Sequence, residues 1–218
     1  MPIAGYILTA LVAYLLGSIP TGFLVGKARG IDIRAVGSGN IGATNVFRAL
    51  GRVAGVMVML ADALKGWLAV AVLGRVSVHL FLSSPSALQQ EGMAILAGFC
   101  AILGHNYTCW LRFKGGKGIA TSAGVLVALV PYALLIILAI WLLVLAVSRY
   151  VSLASVCASF ALPFATWLTG RSVTLIVVTA TMTALAIWKH RANLRRLTAG
   201  TEHRFGKSRE SESPGRTI

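Results

Sequence analysis

Acidic side chains are scarce in this sequence. Its 218 residues include 6 Asp and Glu against 20 Lys and Arg, and 12% of the residues are charged. Soluble domains carry about 25% charged residues, so this composition excludes an ordinary soluble domain. No cluster of Asp, Glu, His and Cys along the sequence is typical of a metal site. We therefore expect neither a metal nor another cofactor.

Cysteine is equally rare. Cys100, Cys109 and Cys157 are an odd number at irregular spacing, within or beside apolar runs, so they predict no disulfide framework and no zinc site. Apolar residues are what the chain has in quantity: 57% of it is hydrophobic, and its mean hydropathy is +0.81. This composition predicts an all-α integral membrane protein.

Long apolar runs predict about seven transmembrane helices. A helix needs about 20 residues to cross a hydrocarbon core about 30 Å thick. The runs are 3–25, 53–73, 93–110, 119–130, 132–147, 151–168 and 172–188. The run 119–130 is short for a full crossing, so a re-entrant or half-buried helix is the alternative there.

The basic residues predict the orientation, because cytoplasmic loops collect Lys and Arg. Seven spans with an outside N-terminus leave only Arg75 and Arg171 outside and bring the basic C-terminus into the cytoplasm. A single helix over 119–147 would place Arg149 and the C-terminus outside. A cleaved signal peptide is disfavoured, because no Lys or Arg precedes the first run and no small-residue cleavage site follows it.

The excess of positive charge indicates topology and affinity for membrane lipids before it indicates nucleic acid, so we expect no nucleic-acid partner. We expect one membrane domain over 1–206, acting as a monomer. Residues 207–218 are charged and Ser-rich, which predicts a disordered cytoplasmic tail.

The first cytoplasmic segment, 36–48, contains three glycines, two asparagines, Ser38, Thr44 and Arg48. Glycines let the backbone approach a ligand, and Asn, Ser, Thr and Arg donate hydrogen bonds suited to phosphate oxygens. The segment therefore predicts a phosphate site; a glycine-rich turn before a capped helix is the alternative.

The second segment, 104–118, contains His105 and then Lys114-Gly115-Gly116-Lys117-Gly118 before an apolar run. Two lysines and free backbone N–H groups at a helix start favour an anion. A positive-inside anchor is the alternative. The segment is no ATP-binding loop of the Walker type, because Gly118 rather than Ser or Thr follows Lys117.

The third segment, 189–202, places His190 and Asn193 one helical turn apart and ends at Glu202, one of the few acids. Asp62 and Lys65 lie three residues apart inside an apolar run, which predicts either an ion pair or a polar cavity. Ser152, at the inner end of a span, is expected to line the same cavity as the three segments.

These segments resemble the three cytoplasmic motifs of the bacterial acyl-phosphate:glycerol-3-phosphate acyltransferases, the PlsY family. The resemblance rests on Gly37-Ser38-Gly39-Asn40 with Thr44, Asn45 and Arg48, on His105-Asn106 with 114–118, and on His190-Arg191-Asn193 with Gly200 and Glu202. It extends from the first helix to about Gly206.

The resemblance implies the first step of phospholipid synthesis, at the cytoplasmic face of the bacterial inner membrane. Acyl phosphate and glycerol 3-phosphate would give 1-acyl-glycerol 3-phosphate (lysophosphatidic acid) and inorganic phosphate. With the residue chemistry, it predicts catalytic roles for Ser38, Arg48, Lys114, His190 and Asn193. It predicts substrate binding by Gly39, Asn40, Thr44, Asn45, His105, Gly115, Gly116, Lys117, Gly118, Ser152 and Glu202.

Acyltransferases that use acyl-CoA or acyl carrier protein carry a His-x-x-x-x-Asp pair, which is missing here because Trp110 and Arg195 follow the two segment histidines at that spacing. A secondary transporter of an organic phosphate is the main alternative. It predicts polar elements near the membrane midplane, whereas this sequence concentrates them at one interface. A purely structural membrane protein would leave the glycine-rich segments without a purpose.

The topology predicts which positions an impermeant thiol reagent can reach in intact cells. In a chain without its three natural cysteines, a cysteine at position 84 should react from outside, whereas cysteines at 114 and 201 should react only after the membrane is opened. Labelling of position 114 from outside would overturn the predicted orientation.

Overall fold

A computed structural model describes residues 2–206, so the expected tail over 207–218 lies outside the described residues. Within that range the chain is helical and contains no β-strand. The helices are α1 (Pro2–Ser18), α2 (Thr21–Ala28), α3 (Ala43–Leu50), α4 (Arg52–Leu68), α5 (Arg75–Phe81), α6 (Ala87–Asn106), α7 (Ile119–Leu129), α8 (Pro131–Ser148), α9 (Val151–Leu168), α10 (Val173–Lys189) and α11 (Arg191–Thr198). A π-helical segment, Ala69–Gly74, joins α4 to α5, and a 3-10 turn, Cys109–Leu111, follows α6.

Local signals set several helix boundaries. Pro20 separates α1 from α2, and Pro131 is the first residue of α8, where its missing N–H costs no helical hydrogen bond. Ser86 and Gln89 form a capping box at the start of α6, in which each side chain accepts a hydrogen bond from the other residue's backbone N–H.

Among residues 2–206, five helical stretches are long and apolar enough to cross a membrane: Ile3–Ala28, Arg52–Phe81, Ala87–Leu111, Pro131–Ser148 and Val151–Leu168. A sixth candidate is the pair α10 and α11, which is bent by 57°. The predicted all-helical membrane fold is thus confirmed. The expected fourth span is an 11-residue helix, about 16 Å long and so about half a crossing; seven complete spans therefore stay a prediction.

A buried ion pair ties the first span to α4. Lys65 Nζ lies 2.9 Å from Asp62 Oδ1, and the two side chains are 5% and 2% exposed. Lys65 Nζ also donates to the carbonyl oxygen of Ile19, at 2.9 Å, and the Thr21 hydroxyl donates to the Asp62 carboxylate. The predicted pairing is confirmed, and its partners Ile19 and Thr21 lie on either side of Pro20, where the first span is broken.

The three motif segments meet at one end of the helix bundle. Lys189 Nζ donates to the carbonyl oxygen of Asn106 at 2.9 Å, which joins the second segment to the third. A small apolar cluster that includes Ile33, Val46 and Val58 packs the first segment and α3 against α4. This end therefore brings together residues more than 80 positions apart in the chain.

The ion pair predicts a strong effect on stability. Lys65→Met would leave the Asp62 carboxylate buried without its cation, which costs about 3–5 kcal/mol in comparable cases. We expect the unfolding midpoint in detergent to fall by several degrees, whereas Lys27→Met, at an exposed position, should leave it unchanged. The double variant Asp62→Asn with Lys65→Met should recover part of the loss. A double variant less stable than Lys65→Met would contradict this account.

Candidate functional site

A cavity of about 420 Å³ opens at the end of the bundle where the motif segments meet. Its polar part is lined by residues of all three segments and by α9. Its apolar part continues between the helices and is lined by Leu126, Leu134, Ile137, Leu138, Trp141, Leu162 and Met182, among others. The cavity therefore joins a polar mouth to an apolar body.

Most of the predicted site residues line this cavity. They are Ser38, Asn40, Thr44, Asn45, Arg48, His105, Lys117, Gly118, Ser152, His190, Asn193 and Glu202. Four predicted residues do not line it: Gly39, Lys114, Gly115 and Gly116. The structure thus places Lys117, predicted to bind substrate, at the cavity wall, and Lys114, predicted to be catalytic, outside it.

Asn45 holds the first segment in shape. Its buried amide nitrogen donates to the carbonyl oxygens of Ile33 and Val36, at 3.0 and 3.1 Å, and its oxygen accepts the Ser38 N–H at 2.9 Å. Asn45 was expected to donate to substrate, but its amide hydrogens are engaged within the loop. The same contacts leave the Ser38 hydroxyl and Thr44 at the cavity wall.

Gly115 and Gly116 of the second segment allow the loop to pack closely against the end of α6. The N–H groups of Gly115 and Gly116 donate to the carbonyl oxygens of Asn106 and His105, at 3.2 and 3.0 Å. A Cβ on Gly116 would lie 2.1 Å from His105 Nε2. The prediction that these N–H groups are free for an anion is therefore wrong. Lys114 is exposed and does not line the cavity, so its predicted catalytic role has no support from this geometry and stays a prediction.

Lys117 is the lysine of this segment that faces the cavity. Burial lowers its pKa to about 8, with Arg196 and Arg48 adding to that effect and Glu202 opposing it. Gly118, which follows at φ +82°, precedes α7 and packs so closely on Asn106 that a Cβ would lie 2.7 Å from its Oδ1. The start of α7 thus faces the cavity beside the ammonium group, an arrangement that favours an anion.

Glu202 organises the third segment. Its Oε1 accepts hydrogen bonds from Ser152 Oγ at 2.8 Å and Asn193 Nδ2 at 2.7 Å, and its Oε2 accepts one from Arg196 Nε at 2.7 Å. Burial raises the pKa of the Glu202 carboxyl, but these hydrogen bonds outweigh it and hold the pKa below its ordinary value. The carboxylate is therefore an anion that fixes three side chains of the site.

The contact with Glu202 also fixes the orientation of the Asn193 amide. Because Asn193 Nδ2 is engaged, Oδ1 is the atom left over; it is buried and has no hydrogen-bond partner among residues 2–206. A buried acceptor without a partner is costly unless a ligand supplies the hydrogen. Asn193 Oδ1 is therefore suited to accept a hydrogen bond from a hydroxyl group of a ligand.

Two histidines line the cavity, each held by a different contact. His190 Nδ1 lies 2.8 Å from the Ala186 carbonyl oxygen, which can only accept, so Nδ1 carries hydrogen and Nε2 is left free. His105 Nδ1 lies 3.5 Å from Asp62 Oδ1, longer than a good hydrogen bond. Asp62, the acidic member of the buried ion pair, itself lines the cavity.

Sequence reasoning missed part of the cavity wall. Ser155, Ser159 and Leu162 continue the face of α9 that Ser152 begins, and all four line the cavity. Their spacing of three and four residues marks one side of a helix, which is the signal that could have identified them. Asp62, for which the sequence left an ion pair and a polar cavity as alternatives, is paired with Lys65 and also lines the wall.

A second space of about 400 Å³ lies beside the polar mouth and shares some of its residues. This vestibule is lined by Ser38, Asn40, Lys117, Lys189, Arg191, Ala192, Asn193, Arg195 and Arg196. It is strongly basic, which suits the approach of a doubly charged anion.

Across residues 2–206, no three His, Cys, Asp or Glu side chains are grouped to hold a metal ion, so a metal-free site stays a prediction.

A helical membrane protein with a cationic mouth above an apolar cavity is suited to bind an anionic, lipid-like ligand. A sequence model of the family described as "Glycerol-3-phosphate acyltransferase" matches residues 7–200. The glycerol-3-phosphate acyltransferase of Geotalea daltonii is 49% identical over 193 residues, which cover 88% of this chain and 94% of the relative. That of Geobacter sulfurreducens is 45% identical over 199 residues, covering 91% and 96%. The chain belongs to the glycerol-3-phosphate acyltransferase family.

Solved structures agree with this assignment. A crystal structure of PlsY (YgiH), described as an integral membrane glycerol 3-phosphate acyltransferase, in its glycerol 3-phosphate form, has a TM-score of 0.81 and 40% identity, covering 92% of this chain and 96% of the other. Its lysophosphatidic acid form has a TM-score of 0.79 and 39% identity, covering 92% and 95%. The predicted family and its membrane fold are confirmed.

Proposed function

We propose that this protein transfers a fatty acyl group from acyl phosphate to the 1-hydroxyl of glycerol 3-phosphate, which gives lysophosphatidic acid and inorganic phosphate in the first step of phospholipid synthesis. The observation that carries the proposal is the single cavity that joins a cationic mouth to an apolar body. Both substrates have a phosphate group, and the donor adds an acyl chain. Relatives described as glycerol-3-phosphate acyltransferases support the same reaction.

The reaction needs no cofactor. The hydroxyl oxygen attacks the carbonyl carbon of the acyl phosphate, a C–O ester bond forms, and the C–O bond to phosphate breaks. The hydroxyl proton is recovered in the hydrogen phosphate released. Acyl phosphate is a mixed anhydride, and its phosphate leaves as hydrogen phosphate once it has taken up the hydroxyl proton, so no separate acid is consumed. Positioning and charge stabilisation are what the protein must supply.

The polar mouth supplies both. Arg48 and Lys117 offset phosphate charge, and the N-terminal ends of α3 and α7, which line the cavity, present backbone N–H groups. Asn193 Oδ1 and His190 accept or orient the glycerol hydroxyls. Ser38, Thr44 and Asn40 add donors at the wall, whereas Asn45, Ser152 and Glu202 keep the other groups in place.

The apolar body takes the acyl chain of the donor. Met59, Leu60 and Leu138 line the cavity and are 45%, 59% and 45% exposed on the side of the bundle. In a bilayer these exposed side chains face lipid, so the cavity has a lateral opening through which an amphiphile can enter. With the motif segments on the cytoplasmic side of the inner membrane, glycerol 3-phosphate enters through the basic vestibule.

The donor distinguishes this function from its alternatives. Purified protein given palmitoyl phosphate and labelled glycerol 3-phosphate should form lysophosphatidate, whereas palmitoyl-CoA and palmitoyl-acyl carrier protein should give none. EDTA should not reduce the rate. Robust turnover with either thioester would contradict the donor. Accumulation of unchanged label inside vesicles without lysophosphatidate would favour the transporter.

The two lysines of the second segment provide a matched test of the site. Lys117 lines the cavity and Lys114, three residues earlier, does not. Lys117→Ala should lower turnover about 100- to 1,000-fold, as loss of one well-placed charge typically does. Arg48→Ala should behave in the same way, because that guanidinium also lines the cavity.

Lys114→Ala should keep activity within a few-fold of the wild-type value, as should Arg29→Ala at an exposed position outside the motifs. Initial rates at saturating palmitoyl phosphate measure all four variants. Equal losses in Lys114→Ala and Lys117→Ala would mean that the charges act through membrane affinity, and the proposed site would be wrong.

A further inference from the structure

The residues just after Glu202 bind back onto the bundle. The family match ends at residue 200, but residues 203–206, here called the clasp, contact the junction between α8 and α9. The Phe205 N–H donates to the Arg149 carbonyl oxygen at 2.7 Å. Arg204 Nε donates to the Tyr150 hydroxyl at 2.9 Å, and its guanidinium lies 5.3 Å from the centre of that ring.

The clasp also reaches α3. The Phe205 and Phe47 rings have centroids 5.6 Å apart at an angle of 39°. Phe47 in turn packs on α4 at Gly55, where an added Cβ would lie 2.5 Å from the Phe47 Cβ. The Phe47 ring therefore connects α3 to α4 and to the C-terminal segment at once.

This contact adds to the packing of the second half of α3, where Leu50 lies against the apolar cluster around Val46 and Val58 and Phe47 lies against Gly55. The helix has eight residues, too few to be stable without packing. Asn45 anchors its first half through hydrogen bonds to the loop. The Arg48 side chain makes no hydrogen bond or ion pair with residues 2–206, and Gly51 ends the helix at φ +89° with open space around it.

We propose that Phe205 and Phe47 are positioning residues, and that the clasp keeps the second half of α3 in place so that Arg48 faces the cavity. The proposal rests on the function given above, in which Arg48 offsets phosphate charge. The contact between the Phe47 and Phe205 rings lies close to two charged residues of the site. Arg48 follows Phe47 directly, and Glu202 lies three residues before Phe205.

Phe205→Ala should lower kcat/KM about fivefold to tenfold, in line with the loss of one aromatic pair. Its unfolding midpoint in detergent should stay close to that of the wild type, because Phe205 is 44% exposed. Phe205→Tyr keeps the ring and should restore activity. His203→Ala is the matched control, since His203 is exposed and makes no hydrogen bond or ion pair with the described residues.

A double-mutant cycle tests whether the effect passes through Arg48. In the background of Arg48→Lys, which cannot make the two-pronged contact of a guanidinium with phosphate, Phe205→Ala should have little further effect on kcat/KM. Phe205→Leu, which keeps apolar volume without the ring, replaces the alanine variant if that variant fails to give folded protein.

The outcomes are separable. If wild-type protein forms no lysophosphatidate from palmitoyl phosphate, the proposed function fails. If the wild type is active and Phe205→Ala stays within twofold of it, the clasp does not position the site. Equal losses from Phe205→Ala in the wild-type and Arg48→Lys backgrounds would also overturn the proposal, because the clasp would then act on some other group.

Discussion

The site depends on the hydrogen bonds that the Glu202 carboxylate accepts. It is one of six acids in the chain, and it lies among cations that would repel one another in a partly buried mouth. Its three hydrogen bonds join α9, through Ser152, to α11, through Asn193 and Arg196. Its charge opposes the lowering of the pKa of Lys117 and of Arg48 by burial. One buried anion thus both cross-links the site and helps to keep it positive.

The half-length helix α7 gives the cavity its depth. Because α7 ends at Leu129, its first turn faces the polar mouth while its last turn packs in the apolar core around Val125 and Leu126. A full-length helix that started at the same mouth would end at the opposite face of the bundle. The short helix instead ends within the bundle, where Pro131 starts α8. The N-terminal end of α7 is thereby set beside the apolar part of the cavity.

The sequence predicted the parts of the site that depend on residue type and failed on those that depend on loop direction. The three segments and the Asp62–Lys65 pair followed from composition and spacing, and the family followed from the resemblance of the motifs. The different places of Lys114 and Lys117 did not, because Arg112 and Phe113 adopt left-handed φ values of 53° and 60° that turn the loop. No propensity of Arg or Phe signals that conformation.

Hydrogen bonds within loops account for the other errors. Asn45 is a natural phosphate donor by residue type, yet its amide satisfies the backbone of its own segment. The Gly115 and Gly116 N–H groups, free in a simple helix-start model, are engaged with the end of α6. Such partners are distant in sequence or set by a turn, so composition cannot reveal them.

The two openings of the cavity have a kinetic consequence. One opening is rimmed by lipid-facing Met59, Leu60 and Leu138, and the other leads into the basic vestibule. Products of opposite polarity would therefore leave by different routes, the lipid by diffusion within the plane of the membrane and the phosphate into water. In the proposed reaction, neither product would have to wait for the other to clear a shared exit, and product release limits the rate of many enzymes.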